Sequence, residues 1–249
     1  FVPYGGYLKG EEERLREEAR IRFEDWQKSL SEHGVNSRII IEVGDPVPGI
    51  LSIAELEAVD LIVVNRKKRA AFDMSLLGSQ TLKIITRSKI PVLVNKYIVE
   101  FEREGRIVTR INGDIFKKPL FASDCSGFSG KALDLLLLLD GLIEKAYVSN
   151  VIDSKLSKSY DRYALDTIEN DRKQKLAEYC DRLKSAGIDA EQHLGAGEIA
   201  AEIIRLSRQV GASIIVMRTT GKNRLAELFE GSHSHKVAEK SELPIILVP

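Results

Sequence analysis

Along the chain, segments with apolar residues every three or four positions alternate with short, almost unbroken apolar runs. Residues 11–33 have helical spacing and stop at Gly34, a residue suited to closing a helix end. SRIIIEV (37–43) follows as a strand, PGILSIAELEA (48–58) as a helix and DLIVVN (60–65) as a strand. After a polar segment come SQTLKIITRS (79–88) as a helix and PVLVN (91–95) as a strand. The alternation resumes with PLFASD (119–124), GKALDLLLLLDGLI (130–143), KAYVSNVID (145–153) and a long helix over 160–186. DAEQHL (189–194), AAEIIRLSRQ (200–209), ASIIVM (212–217), SHKVAEKS (234–241) and PIILV (244–248) complete it. Runs such as DLIVVN and ASIIVM show no two-residue alternation, which means burial on both faces, as in a parallel sheet covered by helices on each side.

The pattern occurs twice. Gly78-Ser79 returns as Gly231-Ser232, an offset of 153 (231 − 78), and the same offset carries Pro91 to Pro244, Ile62 to Ile215, Gly44 to Gly197 and Gly34 to Gly187. The chain therefore reads as two copies of one α/β domain, each a doubly wound, flavodoxin- or Rossmann-like fold. Each is expected to hold a mostly parallel five-stranded sheet in the order 3-2-1-4-5, with helices on both faces. Residues 1–97 form the first copy, 98–117 a linker with a short strand or hairpin at RIVTRI, and 118–249 the second copy. By the same offset the counterpart of Asp124 would precede residue 1. The first copy is thus expected to lack its first strand, first helix and most of its second strand, and the parent protein to begin some tens of residues earlier.

Composition narrows the classes of function. Lys plus Arg and Asp plus Glu are 37 each, so the net charge is zero, and no basic footprint for nucleic acid is present. The longest apolar run, ALDLLLLLDGLI (132–143), is interrupted by Asp134 and Asp140 and is too short for a membrane span. Two cysteines, Cys125 and Cys180, make no disulfide framework and suit the cytoplasm. Among four histidines, His233 and His235 stand two apart on a helix and point to different sides, which argues against a metal site. No nucleophile–base constellation is present, so no catalytic residue is assigned.

Ligands of open α/β sheets bind at the carboxyl ends of the strands, where the strand order reverses. In the second copy Asp124 ends the first strand. Arg218 ends the fourth, followed by TTGKNRLAELFEGSHS, a glycine-bearing stretch that leads into the last helix. Free N–H groups at a helix start favour an anion. An acid at one strand tip and an anion site at the next suit a nucleotide. The blander readings stay open: Gly231-Ser232 as a strand-to-helix turn with a cap, Asp124 as a cap shared with Ser126 and Ser129, and RKKR (66–69) as a solvated loop.

ASDCS (122–126), NVID (150–153), GAGEIAAEII (195–204) and the block Arg218-x2-Gly221-x9-Gly231-Ser232 before ELPIILV resemble the universal stress protein family in its tandem form. Nucleotide-binding members carry G-x2-G-x9-G-[ST] in that block. The resemblance implies ATP or AMP, with or without Mg²⁺, bound in the C-terminal copy alone. The adenine would lie near Ala122, Asp124 and Val151, and the phosphates near Gly221, Gly231 and Ser232. Arg218 replaces the first motif glycine, and three readings remain for it: pointing away, giving a cation to the phosphates, or filling the site. In the first copy the block reads Asn65-x2-Lys68-x9-Gly78-Ser79, with two of three glycines gone. The implied role is a stress-related regulator that binds an adenine nucleotide, and any catalysis would be slow ATP hydrolysis or phosphate transfer. The alternative is a non-binding member acting as a pseudo-dimeric interaction module. The last strands, 91–95 and 244–248, are expected to pair inside the chain, with a further homodimer and an unidentified protein partner both left open.

Overall fold

The computed structural model describes residues 10–65, 77–96, 98–103, 106–111, 113–219 and 232–249. Gly221, Gly231 and the RKKR run lie outside them. The chain divides between Val59 and Asp60 into two compact units.

The first unit holds α1 (Glu11–Glu32) and α2 (Pro46–Leu56). Three glutamates fill the first turn of α1, complementing its dipole, and Arg16–Glu12 (3.0 Å) and Arg20–Glu17 (2.8 Å) pair along its surface. The helix closes at Gly34, whose φ is 75°, with Gly34 N–H donating to Ser31 O and Val35 N–H to Leu30 O. α2 starts at Asp45, whose carboxylate accepts from Val47 N–H at 3.2 Å, with Pro46 in the first helical position. The strand expected at 37–43 does not form; Val43 alone makes an isolated bridge. In a 3-2-1-4-5 sheet the third strand has its ladder with the second, and the described residues hold no second strand of this copy. An apolar, β-branched run without a ladder partner has no backbone pairing to make it a strand.

The second unit opens with β1 (Ile62–Asn65), α3 (Ser79–Arg87) and β2 (Val92–Asn95). Next come β3 (Ile98–Arg103) and β4 (Arg106–Ile111), a two-stranded antiparallel hairpin within the expected linker. Then follow β5 (Pro119–Ala122), α4 (Gly130–Leu137), β6 (Lys145–Asp153), α5 (Ser154–Ser159) and α6 (Arg162–Ser185). β7 (Asp189–Gly197), α7 (Ile199–Gln209), β8 (Ile214–Arg218), α8 (His233–Lys240) and β9 (Ile245–Val248) end the chain. α4 stops before its expected end. The Asp140 carboxylate accepts from Gly141 N–H, a local bond that competes with helix continuation. α5 was not anticipated; Asp153 caps it through Lys155 N–H.

Seven strands form one sheet in the order β1-β2-β9-β8-β5-β6-β7, parallel except where β2 meets β9. Read from its own first strand, the second copy has β7-β6-β5-β8-β9, which is 3-2-1-4-5. Among the described residues the first copy contributes its last two strands, β1 and β2, to the sheet. β5 and β9 are buried at every position, and Leu120, Phe121, Ile214, Ile215, Ile245 and Ile246 pack at the centre. This is why those strands are apolar throughout. The repeat is equally plain in the coordinates: α2 and α7 match end to end at the 153-residue offset (199 − 46), as do β2 and β9. Gly187, with φ 85°, closes α6 as Gly34 closes α1. No helix among the described residues is long and apolar enough to cross a membrane.

Candidate functional site

β5 is the switch point of the second copy, with β6 on one side and β8 on the other. β5 ends at Ala122 while β6 runs on to Asp153, and Ser123 N–H still reaches Ser149 O at 2.8 Å. The step between the strand ends opens a cavity of about 230 Å³, room for a small organic molecule rather than one or two waters. Its apolar wall comes from Ala122, Val151, Ile168, Ile199, Ile203 and Met217; its polar rim from Asp124, Asn150, Arg172, Arg218, His233 and Ser234. Such a lining accepts a flat apolar body at the wall and a charged or hydrogen-bonding group at the rim.

Asp124 stands two residues past β5 in a tight turn. Its Oδ1 accepts from Ser126 N–H at 2.9 Å and from the Ser129 hydroxyl at 2.6 Å. Partial burial pushes its carboxyl up, but the hydrogen bonds from Ser129 and Ser126 and the nearby Arg218 charge outweigh that and hold it below the usual carboxylate range. The capping role and the cavity-lining role are thus combined in one side chain. The Asn150 amide donates to Ser123 O at 2.8 Å, and Arg172 Nη1 donates to Asp124 O at 2.8 Å. Cys125, at φ 56°, is buried, and that burial pushes its thiol up against the opposing pull of Arg172.

Of the residues singled out from sequence, Ala122, Asp124, Val151 and Arg218 line this one cavity. Arg218, the last residue of β8, stands at its rim. Ser232 caps α8 by accepting from His235 N–H at 3.2 Å and sits 3.1 Å from the Ser234 hydroxyl; its neighbours His233 and Ser234, rather than Ser232 itself, line the cavity. At the site equivalent to Arg218, the first copy has Asn65, whose side chain accepts from Asn95 at 3.0 Å. Gly78 caps α3 without a side-chain bond, although Ser79 is the counterpart of Ser232. Among the described residues no group of three or more His, Cys, Asp or Glu side chains could hold a metal ion.

Sequence reasoning missed Arg172 and Ile168. Their four-residue spacing, continued by buried Leu176, marks the inward face of α6. Nothing in that spacing says that the face reaches the turn after β5, 48 residues earlier.

A model of the universal stress protein family matches residues 3–96 and again 116–249. A universal stress protein of Bacillus subtilis is 30% identical over 147 residues, 54% of this chain and 99% of that protein. One from Methanocaldococcus jannaschii is 40% identical over 83 residues, 33% of this chain, and that match spans only about half, 51%, of its length. Among solved structures, a universal stress protein from Archaeoglobus fulgidus superposes with a TM-score of 0.70 at 18% identity, over 99% of this chain and 82% of the other. A putative universal stress protein from Pseudomonas aeruginosa gives 0.65 at 17% identity, over 99% and 80%. At such identities these two structures speak for the fold alone.

Proposed function

The chain belongs to the universal stress protein family, matched once in each half, and we propose that it is a regulatory protein that binds an adenine nucleotide, ATP or AMP, in its C-terminal copy. The observation that carries this reading is the meeting of Asp124, just past β5, with Val151 of β6 and Arg218 of β8 around one cavity at the switch point. The apolar wall suits the base, Asp124 suits an amine or hydroxyl donor, and Arg218 with the start of α8 suits the phosphates. In this reading Arg218 supplies, as a fixed cation, what the missing glycine supplies in other members by close backbone approach. The role is binding rather than turnover, in the cytoplasm, with the two copies acting as a pseudo-dimer, a reading that the β2–β9 pairing supports.

Arg218 also favours a second reading. A long side chain where the motif has glycine takes space from the ligand, which would leave a protein-interaction module without nucleotide. Mass spectrometry of small molecules released from the purified protein, with calorimetric titration of ATP and AMP, separates the two. One adenine nucleotide per chain, lost when Val151→Arg fills the wall, supports the proposal. No released nucleotide and no heat of binding overturn it in favour of the interaction module.

A further inference from the structure

The turn after β5 is held by an element far from it in sequence. Cys125 adopts φ 56°, a left-handed conformation that a residue with a Cβ takes only under constraint. Part of the constraint is local: Cys125 N–H donates to Ser123 Oγ at 2.9 Å, and Ser126 N–H and the Ser129 hydroxyl converge on Asp124 Oδ1. Asn150 adds a bond from the adjoining strand. Arg172, from α6, supplies the remaining hold, with Nη1 on the Asp124 carbonyl at 2.8 Å. Arg172 and Ile168, one helical turn apart, line the same cavity as Asp124, so the guanidinium ties α6 to the strand tip. We propose that Arg172 is the positioning residue of this site: it fixes the Asp124 backbone so that the carboxylate is presented to the base or sugar of the ligand. The ligand part rests on the nucleotide reading; the hold on the turn does not.

Full-length Arg172→Gln and Arg172→Lys variants test it with two readouts, thermal unfolding confirming that each is folded. The first needs no ligand. Asp124 is held low by the bonds of its turn and by Arg218; Arg172, bonded to the Asp124 carbonyl, also brings a cation to this turn, and Arg172→Lys keeps that charge while removing the planar guanidinium. Carbon NMR titration of Asp124 should move up toward the ordinary carboxylate range in Arg172→Gln and, by a smaller step, in the charge-conserving Arg172→Lys; a rise in Arg172→Gln alone would report lost charge rather than turn geometry and overturn the proposal. An unmoved titration overturns the proposal, even if the wild-type protein binds no nucleotide and the functional reading fails by itself. The second readout compares adenosine with AMP by calorimetry. Positioning through Asp124 predicts that Arg172→Gln weakens both by the same factor, roughly tenfold, or about 1.4 kcal/mol. Arg172→Lys should recover part of the loss, and adding Asp124→Asn should weaken binding little further. A loss confined to AMP would make Arg172 a phosphate ligand and overturn the positioning role, as would unchanged affinity for both.

Discussion

Leu93 faces Ile246 across the antiparallel junction of β2 and β9, and Ile246 is its own counterpart 153 positions later (246 − 93). A residue that meets its repeat equivalent lies on a local two-fold axis, the relationship found at the centre of a symmetric dimer interface. Both are core residues, 4% and 1% exposed. Leu93→Ala is expected to cost about 2–4 kcal/mol, against less than about 0.5 kcal/mol for Leu142→Ala at a position 55% exposed. Urea unfolding of the two variants checks the difference; equal midpoints would show that the junction adds little stability.

Lys96, immediately after β2, is 5% exposed. Its ammonium donates to Ala238 O at 2.9 Å and to Ser241 O, carbonyls at the end of α8. A cation there complements the helix dipole and satisfies groups that no N–H of the helix can reach. A residue of the first copy thus caps the last helix of the second. Lys96→Met should lower stability by about 2 kcal/mol, since two buried acceptors lose a charged donor. A denaturation midpoint within error of wild type would contradict the cap.

Ala58 and Gly211 are repeat equivalents (211 − 58 = 153) with φ 49° and 64°. Each closes its helix with the same bonds: Ala58 N–H to Glu55 O and Val59 N–H to Ala54 O, matched by Gly211 N–H to Arg208 O and Ala212 N–H to Ser207 O. Only the second copy has glycine at this left-handed position. Gly211→Ala should cost roughly 1 kcal/mol from conformation alone, because a Cβ there meets nothing within 4 Å. Ala58→Gly should be neutral or stabilising by up to about 1 kcal/mol. A lower thermal midpoint for Gly211→Ala beside an unchanged or higher one for Ala58→Gly confirms the equivalence; a stabilising Gly211→Ala would refute it.

The lowered carboxyl of Asp124 has a defined pH signature. The folded state binds a proton less readily than the unfolded one, so Asp124 contributes stability above the unfolded carboxylate range near pH 4. That contribution is lost as pH falls through the lower folded value. Wild type should therefore exceed Asp124→Asn in stability most clearly above pH 5, and the gap should close toward pH 2–3. Urea midpoints across that range measure it, and a pH-independent gap would remove ionisation from the explanation.

Much of this molecule is legible in its residues. Lys145–Asp153 coincides with the apolar run KAYVSNVID, and α1, α3, α6, α7 and β9 fall close to their periodic segments. Asp124 and Arg218 could be gathered from sequence because each stands at a strand end, and strand ends of a parallel sheet share one side; Ala122 and Val151 came from the family resemblance. Ser232 was placed correctly as a helix start, but its hydroxyl is turned onto His235 N–H, a local choice that spacing alone does not decide.

What the sequence determined by itself is what depends on neighbours a few residues apart: helix and strand periods, the helix end at Gly34, and a repeat with a constant offset. Tertiary structure alone decided whether a run finds a partner. The apolar residues 37–43 are as strand-like as 62–65, yet only the latter are in a ladder, because β2 lies beside them. It alone decided that Arg172 meets the Asp124 carbonyl and that Lys96 meets the end of α8, contacts spanning 48 and up to 145 residues. Strand pairing and long side-chain bonds depend on which surfaces the packed core brings together, and that is a property of the whole sheet rather than of any local stretch of chain.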